Sequence, residues 1–284
     1  MDAGQPSRTA VSAALLRAVH QRFDGEPKVL ADPIIVRLLD ETDWSQLQAL
    51  PGGLHSAGAR IMRSAFVLRS RFAEDELAAA AARGVRQYVI LGAGLDTFAW
   101  RQPAYTAGLR IFEVDHPATQ AWKRARLAAA GVGEPANLVW VPTDFEEGRL
   151  TAALHSVGFN PSEPACISWL GVTQYLTGPA IEAVLRFGAA LPPPSTLVLT
   201  FMVPDDDLAG EELEAVQRVA QRAAADGEPW RTRFRPEQMR QALMDSGFRR
   251  VLLLSPEEAD ARYFADRDDG LRAPRAARLA SAYT

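Results

Sequence analysis

Two glycines spaced by one residue, Gly92 and Gly94, follow the apolar run Val89-Ile90-Leu91. Glycine lets a chain turn sharply and lets backbone N–H groups approach a ligand with no Cβ in the way. The next apolar run, Ile111-Phe112-Glu113-Val114-Asp115, ends in a carboxylate that can accept from both hydroxyls of a ribose. Glu113 shares that side of the strand by period two and could make the same contact, but Asp115 stands nearer the carboxyl end, where open α/β sheets bind ligands. A third strand end, Trp140-Val141-Pro142-Thr143-Asp144-Phe145-Glu146, offers a carboxylate for an adenine amino group and a ring to pack on the base. Each feature also has a plain structural reading, because GxG pairs are often ordinary turns, and Asp115 and Asp144 both stand where they could cap a helix.

The residues after the glycines bear on which nucleotide cofactor is meant. A dinucleotide cradle uses a third small residue, G-x-G-x-x-G, and here Thr97 holds that place after Asp96. A carboxylate is a poor neighbour for a pyrophosphate. S-adenosylmethionine carries a sulfonium and an amino-acid tail instead, so Leu91 to Asp115 suits it better than NAD, with a nicotinamide-dependent oxidoreductase kept as the alternative.

Apolar periodicity supplies the elements that position these residues. Short buried runs at 87–91, 109–114, 137–141, 165–170, 196–203 and 248–254 predict strands, with Tyr263-Phe264 a candidate seventh. Helices are expected at 118–130, 146–156, 178–191 and 236–247, so strands and helices alternate as in a parallel sheet covered on both faces. Ahead of them lies a helical preface over 1–85, with helices at 9–23, 33–39 and 55–83 and a loop at Pro51-Gly52-Gly53. The core is expected over 86–284, with an insertion at 204–232 too short to own a core and therefore laid over the cleft. Arg267 to Thr284 reads as a surface helix or a frayed tail.

Composition narrows the partners. Of the 284 residues 48% are hydrophobic and 23% charged, ordinary globular usage. The net charge of −4, with Arg interleaved among acids, gives no nucleic-acid surface. Cys166 is the single cysteine, so an intrachain disulfide is impossible, and its apolar surroundings predict an inert buried thiol. No stretch reaches the ~18 apolar residues of a membrane span, and the first residues do not read as a signal peptide, so a cytoplasmic location is expected. The oligomeric state is left open.

The chain resembles the leucine carboxyl methyltransferase family, in its bacterial branch of S-adenosylmethionine-dependent O-methyltransferase-like proteins. The resemblance runs from Ser7 to about Tyr263, through Ser7-Arg8-Thr9-Ala10, Asp32-Pro33, Arg69-Ser70-Arg71-Phe72-Ala73-Glu74-Asp75, Leu91-Gly92-Ala93-Gly94-Leu95-Asp96-Thr97, Phe112-Glu113-Val114-Asp115-His116-Pro117, Asp144-Phe145 and Gly171-Val172-Thr173-Gln174-Tyr175-Leu176-Thr177. It implies a class I methyltransferase fold, a Rossmann-like, mainly parallel seven-stranded α/β sheet. It also implies Gly92 and Gly94 under the methionine part, Asp115 on the ribose, Asp144 and Phe145 at the adenine, and Arg71 reaching the cofactor carboxylate.

One departure touches the acceptor. Carboxyl methyltransferases end the strand before this later glycine in glutamate, and Leu170 stands there instead, so a small-molecule acceptor is expected rather than a protein C-terminus. Trp169 and Tyr175, at the carboxyl end of the fourth strand, are the candidate acceptor-pocket residues. The acceptor group is a carboxylate or a hydroxyl, of the kind modified in secondary metabolism. His116, His155 and Tyr175 are the candidate bases for a hydroxyl, and none is assigned. Elimination or cyclisation chemistry on the same cofactor, or a binding protein with a vestigial pocket, are the other readings.

Overall fold

The computed structural model describes residues 8–48 and 53–284, so Ser7 of the first motif and Pro51-Gly52 of the preface loop lie outside the described residues. The preface forms α1 (Arg8–Phe23), α2 (Pro33–Arg37), α3 (Glu41–Gln48) and α4 (Ala57–Ala82). Asp32 caps α2 by accepting from the Ile35 N–H, and Pro33 takes the first helical position, where a missing N–H costs nothing. Then β1 (Gln87–Leu91), the short α5 (Phe98–Arg101), β2 (Arg110–Asp115), α6 (Pro117–Ala129), β3 (Leu138–Pro142), α7 (Leu150–Ser156), β4 (Ala165–Trp169), α8 (Gly178–Ala189) and β5 (Thr196–Met202) alternate. Beyond them come α9 (Gly210–Ala225), α10 (Pro236–Asp245), β6 (Arg250–Leu254), the short α11 (Pro256–Ala259) and β7 (Ala277–Tyr283).

These strands make one sheet in the order β3-β2-β1-β4-β5-β7-β6. Strands β1 to β5 run parallel and β7 enters antiparallel between β5 and β6. Leu91 at the end of β1 is level with Val114 on one side and Trp169 on the other. Because the winding direction reverses at β1, the loops after β1 and β4 part there and open a crevice.

Both faces are covered. Val89, Leu91, Phe112 and Ile167 pack towards Ile181, Val184 and Leu185 of α8 and Met239 and Leu243 of α10. On the other face α4 lies along the sheet, its Val67, Leu68 and Phe72 against Val198 and Leu279, its Leu77 and Ala80 against Tyr88 and Ile90. The longest helix of the preface is therefore part of the sheet's own cover. Cys166 is buried in this second layer, and burial pushes its thiol far above the usual range, as an inert thiol requires.

Three expectations change. The helix foreseen at 146–156 begins only at Leu150, after a separate turn at Phe145–Glu147. Tyr263-Phe264 lies in a π-helical turn, not in a strand. The seventh strand is Ala277–Tyr283, inside the stretch expected to be a helix or a tail. Its residues Ala280, Ser281 and Ala282 are small and buried because β5 and β6 flank them, so neither alternation nor branched side chains mark it. Among the described residues no helix is long and apolar enough to cross a membrane.

A buried charge cluster holds the preface together. Arg63 donates from Nε to Asp24 Oδ2 at 3.0 Å and from Nη2 to Oδ1 at 2.9 Å. His20 Nε2 accepts from the Val29 N–H at 3.1 Å, so its proton sits on Nδ1 and is donated to Asp24 Oδ2 at 2.9 Å. Burial works to raise the Asp24 carboxyl, but the hydrogen bonds from His20 and Arg63 outweigh it and hold the group below its ordinary value. Arg63→Leu strands a buried carboxylate and is expected to cost about 3–5 kcal/mol in urea unfolding. A loss no larger than the ~1 kcal/mol of a surface pair would show that the cluster is not sealed from water.

Candidate active site

The glycine turn is a backbone structure locked by a side chain. Gly92 and Gly94 have φ of +68° and +48°, a region that L side chains rarely enter. The N–H groups of Gly92 and Ala93 donate to Val114 O at 2.8 and 3.1 Å, while that of Gly94 donates to Asp115 Oδ2 at 2.6 Å. The other carboxylate oxygen, Oδ1, takes the His116 N–H at 2.6 Å. Burial raises the Asp115 carboxyl above its ordinary value, against the lowering effect of these two N–H donors. A Cβ on Gly92 would overlap Val172 Cγ2, and one on Gly94 would come within 3.1 Å of Ala10 Cβ.

This turn floors a cleft of about 730 Å³, the size of an ordinary small-molecule site. Gly92, Gly94, Asp96, Asp115, Asp144 and Phe145 line one half. Asp144 is a cap as well as a wall, since its Oδ1 accepts from the Glu146 N–H at 2.9 Å. Glu113, the other candidate on β2, is not in the cleft. It is buried and taken by Lys123 Nζ at 2.5 Å, and that ammonium stands 4.9 and 5.6 Å from the Trp100 and Trp140 ring centroids. Burial pushes the Glu113 carboxyl up to about 7, with Lys123 opposing.

Two other expectations fail on geometry. Arg71 lies outside the cleft, its side chain 45% exposed and paired with Asp75 at 2.9 Å. Arg69, two residues earlier and so nearly opposite on α4, enters the cleft instead. Its guanidinium fills the space beside Gly171 and lies over the Phe66 ring, with no hydrogen-bond or ion-pair partner among the described residues. Burial, and then the like charge of Arg17, pull it down to about 10. Sequence reasoning missed it, yet a signal existed: Met62, Phe66 and Arg69 fall at helical spacing on the face that lines the cleft. Trp169 is fully buried in the core beneath the site and lines nothing, because it is the last residue of β4 and points between the layers. Tyr175 does line the cleft. His116 lines it too, with Nδ1 accepting from the Ala118 N–H as a cap, while His155 is exposed on α7 and stays apart.

The insertion roofs the other half. Arg233 pairs with Asp205 and Arg235 with Asp207, closing the base of the insertion. Above that base α9 contributes Ala215, Val219 and Arg222 to the cleft wall. A strap at 227–232 follows, its Arg231 N–H donating to Gln174 O at 2.6 Å. Thr9 Oγ1 donates to Glu228 Oε2 at 2.7 Å, so α1 meets the strap above the glycine turn.

Residues 10–189 match the model of the leucine carboxyl methyltransferase family. The chain belongs to that family. It is 31% identical to a Bacillus subtilis protein named "Putative S-adenosyl-L-methionine-dependent methyltransferase YktD", over 96% of both chains. A similarly named Parafrankia protein is 37% identical over 63% of this chain and 57% of its own length. The crystal structure of a "putative methyltransferase" from Thermobifida fusca covers all of this chain and 96% of its own, with a TM-score of 0.64 at 20% identity, a likeness of fold alone. As a member of the family the protein is an enzyme, a methyltransferase with S-adenosyl-L-methionine as cofactor, on a class I methyltransferase fold.

Gly92→Ala is expected to lose about 1–2 kcal/mol from the left-handed backbone alone, and more from the overlap with Val172. Adding Val172→Ala should restore only the second part in thermal unfolding, and full recovery would show that φ set no cost. The Glu113–Lys123 pair gives a pH signature. The folded state holds the Glu113 proton more tightly than the unfolded one, so its contribution to stability is lost as pH rises from about 4.5 through about 7. Glu113→Gln should flatten that part of the stability profile, and an unchanged slope would mean that the pair titrates elsewhere.

Proposed function

We propose that the cleft holds S-adenosyl-L-methionine with its methionyl part over the Gly92–Gly94 turn, its ribose at Asp115 and its adenine beside Asp144 and Phe145. The enzyme then methylates an oxygen, carboxylate or hydroxyl, of a small molecule, as in secondary metabolism in the cytoplasm. The observation that carries the cofactor assignment is the Asp115 carboxylate, fixed by the N–H groups of Gly94 and His116 at the end of β2. Each oxygen keeps a lone pair for a ribose hydroxyl. The donor set fits the rest of the ligand. The glycine cradle has no room for a side chain, and Arg69 offers a guanidinium without a carboxylate partner among the described residues, so the carboxylate role moves from Arg71 to Arg69.

Bound, the cofactor supplies an electrophilic methyl group; the chain supplies position. Transfer is an in-line displacement, and holding the acceptor oxygen in line provides much of the acceleration. α9 and the strap wall the acceptor half, so that a seated acceptor displaces water from it. A carboxylate acceptor needs no base, and for a hydroxyl Tyr175 and His116 are the candidate bases that line the cleft. Leu170 lines the cleft where the resemblance places a glutamate, which supports an acceptor unlike a protein C-terminus.

Calorimetric titration with S-adenosylmethionine, S-adenosylhomocysteine and NAD tests the cofactor, and binding of NAD alone would overturn it. Asp115→Ala is expected to weaken S-adenosylhomocysteine by roughly 1.5–3 kcal/mol, the size of a charged hydrogen bond. Arg69→Gln should weaken it by a comparable amount and Arg71→Gln should not. The reverse pattern would return the carboxylate role to Arg71.

A further inference from the structure

The carboxylates that line the cofactor half of the cleft are Asp96, Asp115, Asp144 and Glu146. Asp115 takes a backbone N–H on each oxygen, and Glu146 accepts from the N–H and the hydroxyl of Thr177 at 3.1 and 3.0 Å. Asp144 stands at the end of β3, on the adenine side, with Oδ1 taken by the Glu146 N–H. Asp96 follows the glycine turn itself. Its N–H donates to Ala93 O at 2.7 Å, and its Oδ1 accepts the Phe98 N–H at 2.7 Å, so the carboxyl group is held in a turn that leads into α5. Its Oδ2 has no hydrogen-bond or ion-pair partner among the described residues and keeps accessible surface in the cleft. Arg69 lines the same cleft, and the Asp96 charge works to raise its guanidinium, yet no ion pair among the described residues joins the two. Two opposite charges thus stand in one pocket, within each other's field and unpaired.

We propose that Asp96 binds the α-ammonium group at the methionyl end of the cofactor: Oδ2 accepts one of its N–H bonds while Arg69 takes the α-carboxylate. This rests on the S-adenosylmethionine reading of the same cleft. The methionyl end carries an ammonium and a carboxylate on one carbon, and each charge taken out of water needs an opposite partner. A separated acid and guanidinium beside the glycine turn supply both. The free oxygen of Asp96 would repel a pyrophosphate in the same place, so the residue also selects between the two classes of cofactor.

The test titrates the full chain with S-adenosylhomocysteine and two analogues, decarboxylated S-adenosylhomocysteine, which keeps the ammonium, and deaminated S-adenosylhomocysteine, which keeps the carboxylate. Asp96→Asn retains an oxygen for the Phe98 N–H and removes the charge. It should weaken S-adenosylhomocysteine and the decarboxylated analogue about tenfold to a hundredfold, the size of one charged hydrogen bond, and leave the deaminated analogue unchanged. Asp96→Ser, whose hydroxyl also accepts from an N–H two residues on, should repeat this pattern, and Arg69→Gln should show its mirror image. Unchanged affinity for S-adenosylhomocysteine in the Asp96 variants, equal losses for the two analogues, or a loss confined to S-adenosylmethionine, whose sulfonium would then be the group that Asp96 faces, would each overturn the proposal. Failure of the wild type to bind S-adenosylhomocysteine at all would overturn the cofactor assignment instead.

Discussion

The Asp115 carboxylate is the constraint on which the site depends. It joins the ends of two neighbouring strands, taking the Gly94 N–H with one oxygen and the His116 N–H with the other. The glycine turn has already spent its two preceding N–H groups on Val114 O, so the turn and β2 are bonded into one unit at three consecutive residues. An amide in place of the carboxylate would set an N–H against one of these donors. The acid is therefore needed by the fold before any ligand arrives, which is why its capping and ribose-binding readings are not rivals.

Behind the turn a second set of charges fixes its far end to the preface. Asp32 accepts the Thr97 hydroxyl at 2.7 Å and the Ile35 N–H at 3.2 Å, with Arg17 and Arg101 each 3.6 Å away. Arg17 also reaches Leu95 O, and Arg101 is held by Glu74 at 2.5 Å. Buried ion pairs add little net stability compared with apolar packing, but breaking one is costly. Their effect here is geometric. They hold α1, α2 and α4 in one position relative to Asp96 and Thr97, so the preface is a wall of the site and not an appendage.

The sheet and its cofactor edge were legible because buried parallel strands leave continuous apolar runs, and because a glycine turn and a strand-end acid sit at fixed places relative to them. The losses have physical reasons. The buried strand Ala277–Tyr283 is built of small residues that its two neighbours cover, so it lacks the pattern that apolar burial normally writes. Arg69 and Arg71 are alike in sequence, but two residues on a helix are about 200° apart, and only the packing of α4 decides which enters the cleft. Trp169 failed by one residue, since the last position of a strand still points into a layer while the next begins the loop.

The two halves of the cleft differ in how they are made. The cofactor half consists of strand ends and backbone N–H groups, whose positions follow from the sheet register and tolerate few replacements. The acceptor half is made of side chains from α4, α9 and the strap together with Tyr175, many of them in an insertion whose base is closed by Arg–Asp pairs. Glu212 of α9 ties the insertion to the chain just before β7 by accepting from the Arg275 and Ala276 N–H groups, while the α9 and strap side chains that face the cleft belong to no strand. Family likeness thus carries far for the cofactor and little for the acceptor, and Leu170, on the border between the halves, shows where the one gives way to the other.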